Sequence, residues 1–314
     1  MRCSSYVVST ETGGDTHDGT RELQPRPPLH GGARVRLGQF GRAGRVPLLG
    51  LGTYRIGLEA RRDAVLAIET AIEAGMRHID VAELYSGGAV ESLVGAALAG
   101  RRDDVFLVSK LLPENASREG TVAACERSLR RLRTDRLDCY LLHWLGPHPL
   151  EETIAGFEEL VEAGKIRSWG VSNFDEVKLD EAVRIAGEGR VACDQVLYHL
   201  EQRAVEHAVV PYCQRHEIAL VAYSPLGAGR FPDPRSGGGR VLDEIAARHA
   251  ATPRQVALAF LLRQPGCFAI PKAAVPEHVR EDAAAGNLDL DPADVALLDR
   301  AFPRGPRRAG VPTP

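Results

Sequence analysis

Residues 105–144 read VFLVSKLLPENASREGTVAACERSLRRLRTDRLDCYLLHW, and this stretch decides the fold. It opens on Val105, Phe106, Leu107 and Val108, a continuous apolar run with no polar alternation. A run of that kind suits a strand covered on both faces, as in a parallel sheet. Val122, Cys125, Leu129 and Leu132 then recur at i, i+3, i+7 and i+10, the spacing of one buried helix face. A second continuous run follows at 137–142. Strand, helix and strand in succession make one unit of an α/β fold.

The same alternation extends outward in both directions. Strand candidates lie at 48–52, 77–81, 105–109, 137–142, 166–171, 191–196, 218–223 and 267–270. Leu150, Ile154, Phe157, Leu160 and Val161 again trace a helix face, and Gly164 is its expected stop. Eight alternations predict an α/β fold of the (β/α)8 TIM-barrel type, a closed parallel sheet. An open doubly wound sheet is the alternative, since closure leaves no mark on sequence. No internal repeat or linker divides residues 33–314, which are expected to form one domain. Residues 1–32 differ. Only seven are hydrophobic and fifteen are Gly, Pro, Ser or Thr, so a disordered N-terminal extension is expected there. It lacks the apolar centre of a secretory signal.

Composition excludes several classes of function. Of 314 residues 44% are hydrophobic, enough for a large core. Net charge is -3, from 39 basic and 42 acidic residues, which leaves no footprint for nucleic acid or anionic lipid. Six cysteines without a CxxC pair read as reduced thiols. Cys139 and Cys193 fall within strands, as small core residues. His207, Cys213 and His216 suit no usual metal spacing, so no metal is expected. No apolar run approaches the ~20 residues that cross a bilayer. The expectation is a soluble cytoplasmic protein with neither nucleic-acid nor membrane partners.

In a barrel the working face lies where strands end. Residues 78–85, HIDVAELY, place Asp80 at one strand end and Tyr85 just beyond. Lys110 ends the next strand and His143 the one after. Taken singly, each is most often a solvated charge or a satisfied polar group. Four ionisable groups at three consecutive strand ends suggest joint chemistry. A tyrosine hydroxyl, pKa ~10, is a poor acid at neutral pH. An adjacent ammonium favours its phenolate, and a carboxylate behind holds that ammonium charged and oriented. A neighbouring histidine can donate to a substrate oxygen. Such a set can protonate a carbonyl oxygen while hydride reaches its carbon, but it supplies no hydride, so a redox cofactor is required.

From about residue 35 to 305 the chain resembles the aldo-keto reductase family. The resemblance rests on an ordered series: DVAELY with Asp80 and Tyr85, VSK ending at Lys110, LLHW with His143, GVSNF with Ser172 and Asn173, DQV with Gln195, YSPLG from Tyr223, and IPK ending at Lys272. It implies that Tyr85 is the general acid, that Lys110 and Asp80 tune it, and that His143 orients the carbonyl. It implies further that Ser172, Asn173 and Gln195 hold a nicotinamide carboxamide and that Tyr223 stacks on the ring. Ser224 and Leu226 of YSPLG would also line the cofactor, and Tyr54 and Trp144 the substrate pocket. The family binds NADPH extended across the barrel mouth, without a Rossmann domain. Within it, the chain resembles the bacterial group of methylglyoxal and 2,5-diketo-gluconate reductases.

Three positions depart from the family pattern. Asp194 stands where Asn is expected. His278 stands where an Arg often holds the 2′-phosphate beside Lys272, and Asp282 where an Asn commonly contacts adenine, leaving Glu281 the better-matched contact. NADPH is therefore expected to be preferred, with NADH as a weaker alternative. The short segment 144–149 predicts an open pocket with broad selection among small aldehydes and ketones. The chain is expected to be a monomer. A cofactor-binding regulatory subunit or redox sensor is the rival reading, and a barrel hydrolase lacks a second strand-end acid to partner Asp80. Gly50-Leu51-Gly52 lacks the third glycine of a dinucleotide loop and reads as a close-packing turn. Gly237-Gly238-Gly239 reads as a mobile loop.

Overall fold

In the computed structural model, which describes residues 35–307 and 309–313, eight parallel strands run in chain order. The expected extension at 1–32 lies outside those residues. A short antiparallel hairpin comes first, β1 (Leu37–Gln39) with β2 (Arg45–Pro47). The sheet then comprises β3 (Gly50–Gly52), β4 (His78–Asp80), β5 (Phe106–Leu111), β6 (Leu137–Leu142), β7 (Ile166–Ser172), β8 (Val191–Leu197), β9 (Ala219–Tyr223) and β10 (Cys267–Ile270). The amide of Gly52 donates to the Pro271 carbonyl at 3.0 Å, and that of Ala269 to the Leu48 carbonyl at 2.9 Å. The last strand therefore meets the first. The sheet closes into a (β/α)8 barrel, and the open doubly wound alternative falls.

Continuous apolar strands arise because each strand serves two cores. Phe106 and Val108 of β5 join Cys139, Leu141, Cys193, Val221, Phe268 and Ile270 inside the barrel. Leu107, Tyr140 and Leu142 instead pack outward beneath the helices. Side chains two apart share a face, so Lys110 follows Phe106 and Val108 inward, toward the end of the barrel where β5 stops. The opposite end is plugged by the hairpin. Its Phe40 ring lies 4.9 Å from Phe106, 5.1 Å from Phe268 and 5.6 Å from His78, centroid to centroid. Gly50 is required at this floor: a Cβ there would sit 2.4 Å from the His78 carbonyl oxygen and 2.8 Å from its ring. The close packing expected there is present, but the three residues form strand β3 rather than a turn.

Helices α1 (Arg61–Glu73), α2 (Ala89–Ala97), α3 (Arg118–Leu132), α4 (Leu150–Glu162), α5 (Glu176–Ala186), α6 (Val209–Arg215), α7 (Gly237–Arg248), α8 (Pro253–Leu262), α9 (Pro276–Ala284) and α10 (Pro292–Ala301) follow in chain order, and the two read from sequence are α3 and α4. Cys125, Leu129 and Leu132 are buried on α3, which Ser117 caps by accepting from the Gly120 amide. Ile154, Phe157 and Leu160 are buried on α4, and Gly164 follows at φ +69°. One expectation is corrected. Gly237–Gly239 is not a loop but the first turn of α7 (Gly237–Arg248). Ser236 caps it by accepting from the Gly239 amide at 2.9 Å, and glycine is required at 239, where a Cβ would lie 2.0 Å from the Asp233 carbonyl oxygen.

Candidate active site

Strand register brings the four strand-end residues together. Lys110 is wholly buried, its ammonium donating to Asp80 Oδ1 at 2.5 Å, to the Val81 carbonyl at 3.1 Å and to the Tyr85 hydroxyl at 3.3 Å. Burial works against the Lys110 charge, yet Asp80 and Tyr85 beside it outweigh that and hold the ammonium above its ordinary value. Burial likewise raises the Tyr85 phenol above its ordinary value, while Lys110 pulls the other way. The hydroxyl thus keeps its proton but has a cation in place for the moment it is lost. His143 lies 6.1 Å from Tyr85, ring to ring. Burial, with Lys110 adding to it, drops its pKa to about 3, so the imidazole is neutral and offers one N–H.

The residues expected at the carboxamide converge on the same place. Gln195 donates from Nε2 to Asp80 Oδ2 at 2.8 Å, tying β8 to the strand-end carboxylate. Asn173 donates to the His143 carbonyl at 3.1 Å and accepts from the Tyr223 hydroxyl at 2.9 Å. Ser172 donates to the Gln195 carbonyl at 2.7 Å. Ser224, at φ +47°, and the half-buried Leu226 turn the chain away from the end of β9. The Tyr54 ring lies 5.2 Å from Tyr85 and the Trp144 ring 4.7 Å from His143. Both are exposed, Tyr54 at 52% and Trp144 at 37%. They flank the tetrad as an open apolar rim, and α4 begins at Leu150, directly after the short 144–149 segment.

The remaining expected contacts lie beyond the end of β10. Lys272 is exposed, as is His278 in the first turn of α9 (Pro276–Ala284). Neither has a carboxylate within ion-pairing distance among the described residues. An exposed ammonium and an exposed imidazole without carboxylate partners, beside a barrel mouth, fit a phosphate-bearing cofactor. Glu281 is engaged by α8 (Pro253–Leu262): the cap residue Thr252 donates to its carboxylate at 2.7 Å, and Gln255 to its carbonyl at 2.9 Å. Asp282 is wholly buried with neither oxygen hydrogen-bonded, its closest cation being Arg254 at 3.7 Å. Burial, opposed by Arg254, raises its pKa to about 7. The Asp282 side chain has no accessible surface and faces Arg254.

Sequence reasoning passed over Glu83. It is buried, accepts from the Leu112 amide at 2.7 Å and Asn115 Nδ2 at 2.8 Å, and faces Arg127 and Arg131 at 3.7 and 3.9 Å. It thereby joins the loop before Tyr85 to the loop after Lys110. The available signal was its place between Asp80 and Tyr85 in the quoted motif. The histidines weighed as metal ligands point elsewhere: His207 contacts the Gly305 carbonyl, and His216 stacks on Tyr212 beside Glu188. Among the described residues no three His, Cys, Asp or Glu side chains are grouped to hold a metal.

The sequence profile described as "Aldo/keto reductase family" matches residues 48–302. Methylglyoxal reductase YeaE of Escherichia coli K12 is 45% identical over 270 residues, covering 84% of this chain and 94% of that protein. Glyoxal reductase of Bacillus subtilis is 34% identical, covering 81% and 88%. An aldo-keto reductase of Klebsiella pneumoniae, solved with NADPH, superposes with a TM-score of 0.83 at 42% identity, covering 90% of this chain and all of that one. The motif order, the closed barrel, the assembled tetrad and these matches agree: the chain belongs to the aldo/keto reductase family.

Proposed function

We propose that the barrel mouth is the site of NADPH-dependent reduction of small aldehydes and ketones, dicarbonyls and keto-sugars among them. One observation carries the reading: a buried ammonium bridges Asp80 to the Tyr85 hydroxyl, beside a neutral imidazole. NADPH, when bound, supplies the hydride that this residue set lacks. Ser172, Asn173 and Gln195 would hold its carboxamide, Tyr223 its ring, and Ser224 and Leu226 its flank. Lys272 and His278 would take the 2′-phosphate, and Glu281 and Asp282 the adenine. His143 donates its one N–H to the substrate oxygen and fixes its direction. Tyr85 gives that oxygen its proton as negative charge develops there. Lys110 stabilises the phenolate left behind, and Asp80 keeps Lys110 charged and in line. Tyr54 and Trp144 shield this transfer from water while leaving the pocket open, which favours breadth over selectivity.

The names of the relatives support the substrate class, since two reduce methylglyoxal or glyoxal by name. No helix among the described residues is long and apolar enough to cross a membrane. We read the protein as cytoplasmic and monomeric, with a single-chain mass by light scattering as the check on the second point. The test of function is loss of NADPH absorbance against a panel of aldehydes, dicarbonyls and keto-sugars. Turnover of several small carbonyls is expected. Tight NADPH binding with no turnover of any would favour the regulatory or sensing role instead.

A further inference from the structure

The turn that carries Asn173 is held to β8 by three hydrogen bonds. The Asn173 amide donates to the Gln195 carbonyl at 2.9 Å, and the Ser172 hydroxyl to the same oxygen at 2.7 Å. The Phe174 amide donates to Asp194 Oδ1 at 3.4 Å. Asn173 itself sits at φ +62°, in the left-handed region, which its short polar side chain tolerates but does not favour. Such a conformation persists because its surroundings over-determine it. Two of the three accept at the Gln195 backbone carbonyl, one of them from the Ser172 hydroxyl. The third depends on the side chain at 194.

Asp194 is 0% exposed, and its Oδ2 has no hydrogen-bond partner. One long amide contact is poor compensation for a buried carboxylate charge. Burial accordingly holds this carboxyl well above the usual range, with Asp175 pushing the same way and the Phe174 amide and Lys178 opposing. A neutral acid there accepts from Phe174 as an asparagine carbonyl would. The turn it holds is not an idle one, because the Asn173 side chain spans from the His143 carbonyl to the Tyr223 hydroxyl. A slip of the turn would disturb the imidazole and the aromatic ring together.

We propose that Asp194 is a positioning residue of this site, clamping the 172–174 turn so that Asn173 meets the cofactor carboxamide. The inference rests on Asn173 being a carboxamide contact, and the experiment separates the two claims. Dissociation constants are measured for NADPH and for adenosine 2′,5′-bisphosphate, which has the adenine end and no nicotinamide. Asp194→Ala should weaken NADPH about tenfold, the order expected for losing one hydrogen bond and its alignment, and leave the bisphosphate unchanged. Asp194→Asn, which keeps the acceptor, should bind both within about twofold of the parent protein. Asp194→Leu, close in volume, replaces the alanine variant should that one fail to fold. Unchanged NADPH binding, or equal weakening of both ligands, would overturn the clamp, as would failure of Asp194→Asn to restore binding. Asn173→Ala is the second arm. If it too leaves NADPH unchanged relative to the bisphosphate, the carboxamide contact itself is wrong; if only Asn173→Ala weakens NADPH, the clamp alone is wrong.

Discussion

His78 adds one acid-sensitive group at the barrel floor. It is wholly buried at the barrel floor, its ring edge-on to those of Phe40 and Phe106, and neither ring nitrogen has a hydrogen-bond partner. Burial lowers its pKa from 6.5 to about 4; Asp80 and Asp138 oppose that and Lys110 adds to it. As pH falls through 6.5 the unfolded chain takes up a proton at His78, while the folded chain does not until about 4. A proton bound by the unfolded state alone favours unfolding, so stability drops across this window and levels off below it. Each pH unit of the gap is worth about 1.4 kcal/mol, so the full crossing removes about 3 kcal/mol. That is a substantial part of the 5–15 kcal/mol typical of a folded protein. His78→Leu abolishes the titration in a side chain of similar volume. Urea unfolding of both proteins at pH 7.5, 6.5, 5.5 and 4.5 measures the difference in stability at each pH. The variant should gain on the parent by about 2–3 kcal/mol between the first and last points, whatever its absolute stability at pH 7.5. Parallel curves would show that His78 is hydrated or paired in solution, and the dry-floor argument would fail.

Tyr85→Phe should keep NADPH affinity near that of the parent and lower the reduction rate by about 10²- to 10⁴-fold, the range for general acid catalysis. Lys110→Met should be comparably severe in single-turnover assays, since the phenolate loses its cation; full activity in either variant removes that residue from the mechanism. His278→Arg should raise the ratio of NADPH to NADH affinity by adding a bidentate phosphate contact, with NADH binding nearly constant. An unchanged ratio means His278 does not face the 2′-phosphate. Gly50→Ala should destabilise by about 1–3 kcal/mol through overpacking against His78, read as a lower denaturation midpoint. Deleting residues 1–32 should leave melting temperature and turnover unaltered, and a fall in either would show that the segment docks on the barrel.

What could be read from sequence follows from how each residue is constrained. Asp80, Lys110 and His143 were visible because period 2 along a strand fixes which way its last residue points. Phe106 and Val108 define the inward face, and Lys110 must share it. Tyr85 was visible only through its motif, since it lies in a turn whose next residues, Ser86 and Gly87, adopt left-handed backbone that no periodicity announces. Closure was invisible. It depends on Gly52 and Ala269 meeting Pro271 and Leu48 across more than two hundred residues. The glycine run at 237–239 misled because composition outvoted Ser236, the one residue there with capping geometry.

The adenine end was the least legible, for a physical reason. Glu281 and Asp282 are neighbours on one helix, so they face different surroundings, and sequence alone does not say which side chain is free. Thr252 has claimed Glu281, whereas Asp282 is buried without a hydrogen bond. Glu281 nevertheless keeps some exposed surface while the Asp282 side chain has none, so an adenine contact at 282 requires that side chain to turn outward. His78 and Asp80 make the same point on β4. They share the inward face two residues apart, and both are buried. Asp80 has Lys110 and Gln195 as donors. His78 has none, and its pKa falls to about 4. Depth alone does not decide how a buried polar group is satisfied in this barrel; the number of oriented donors within reach does.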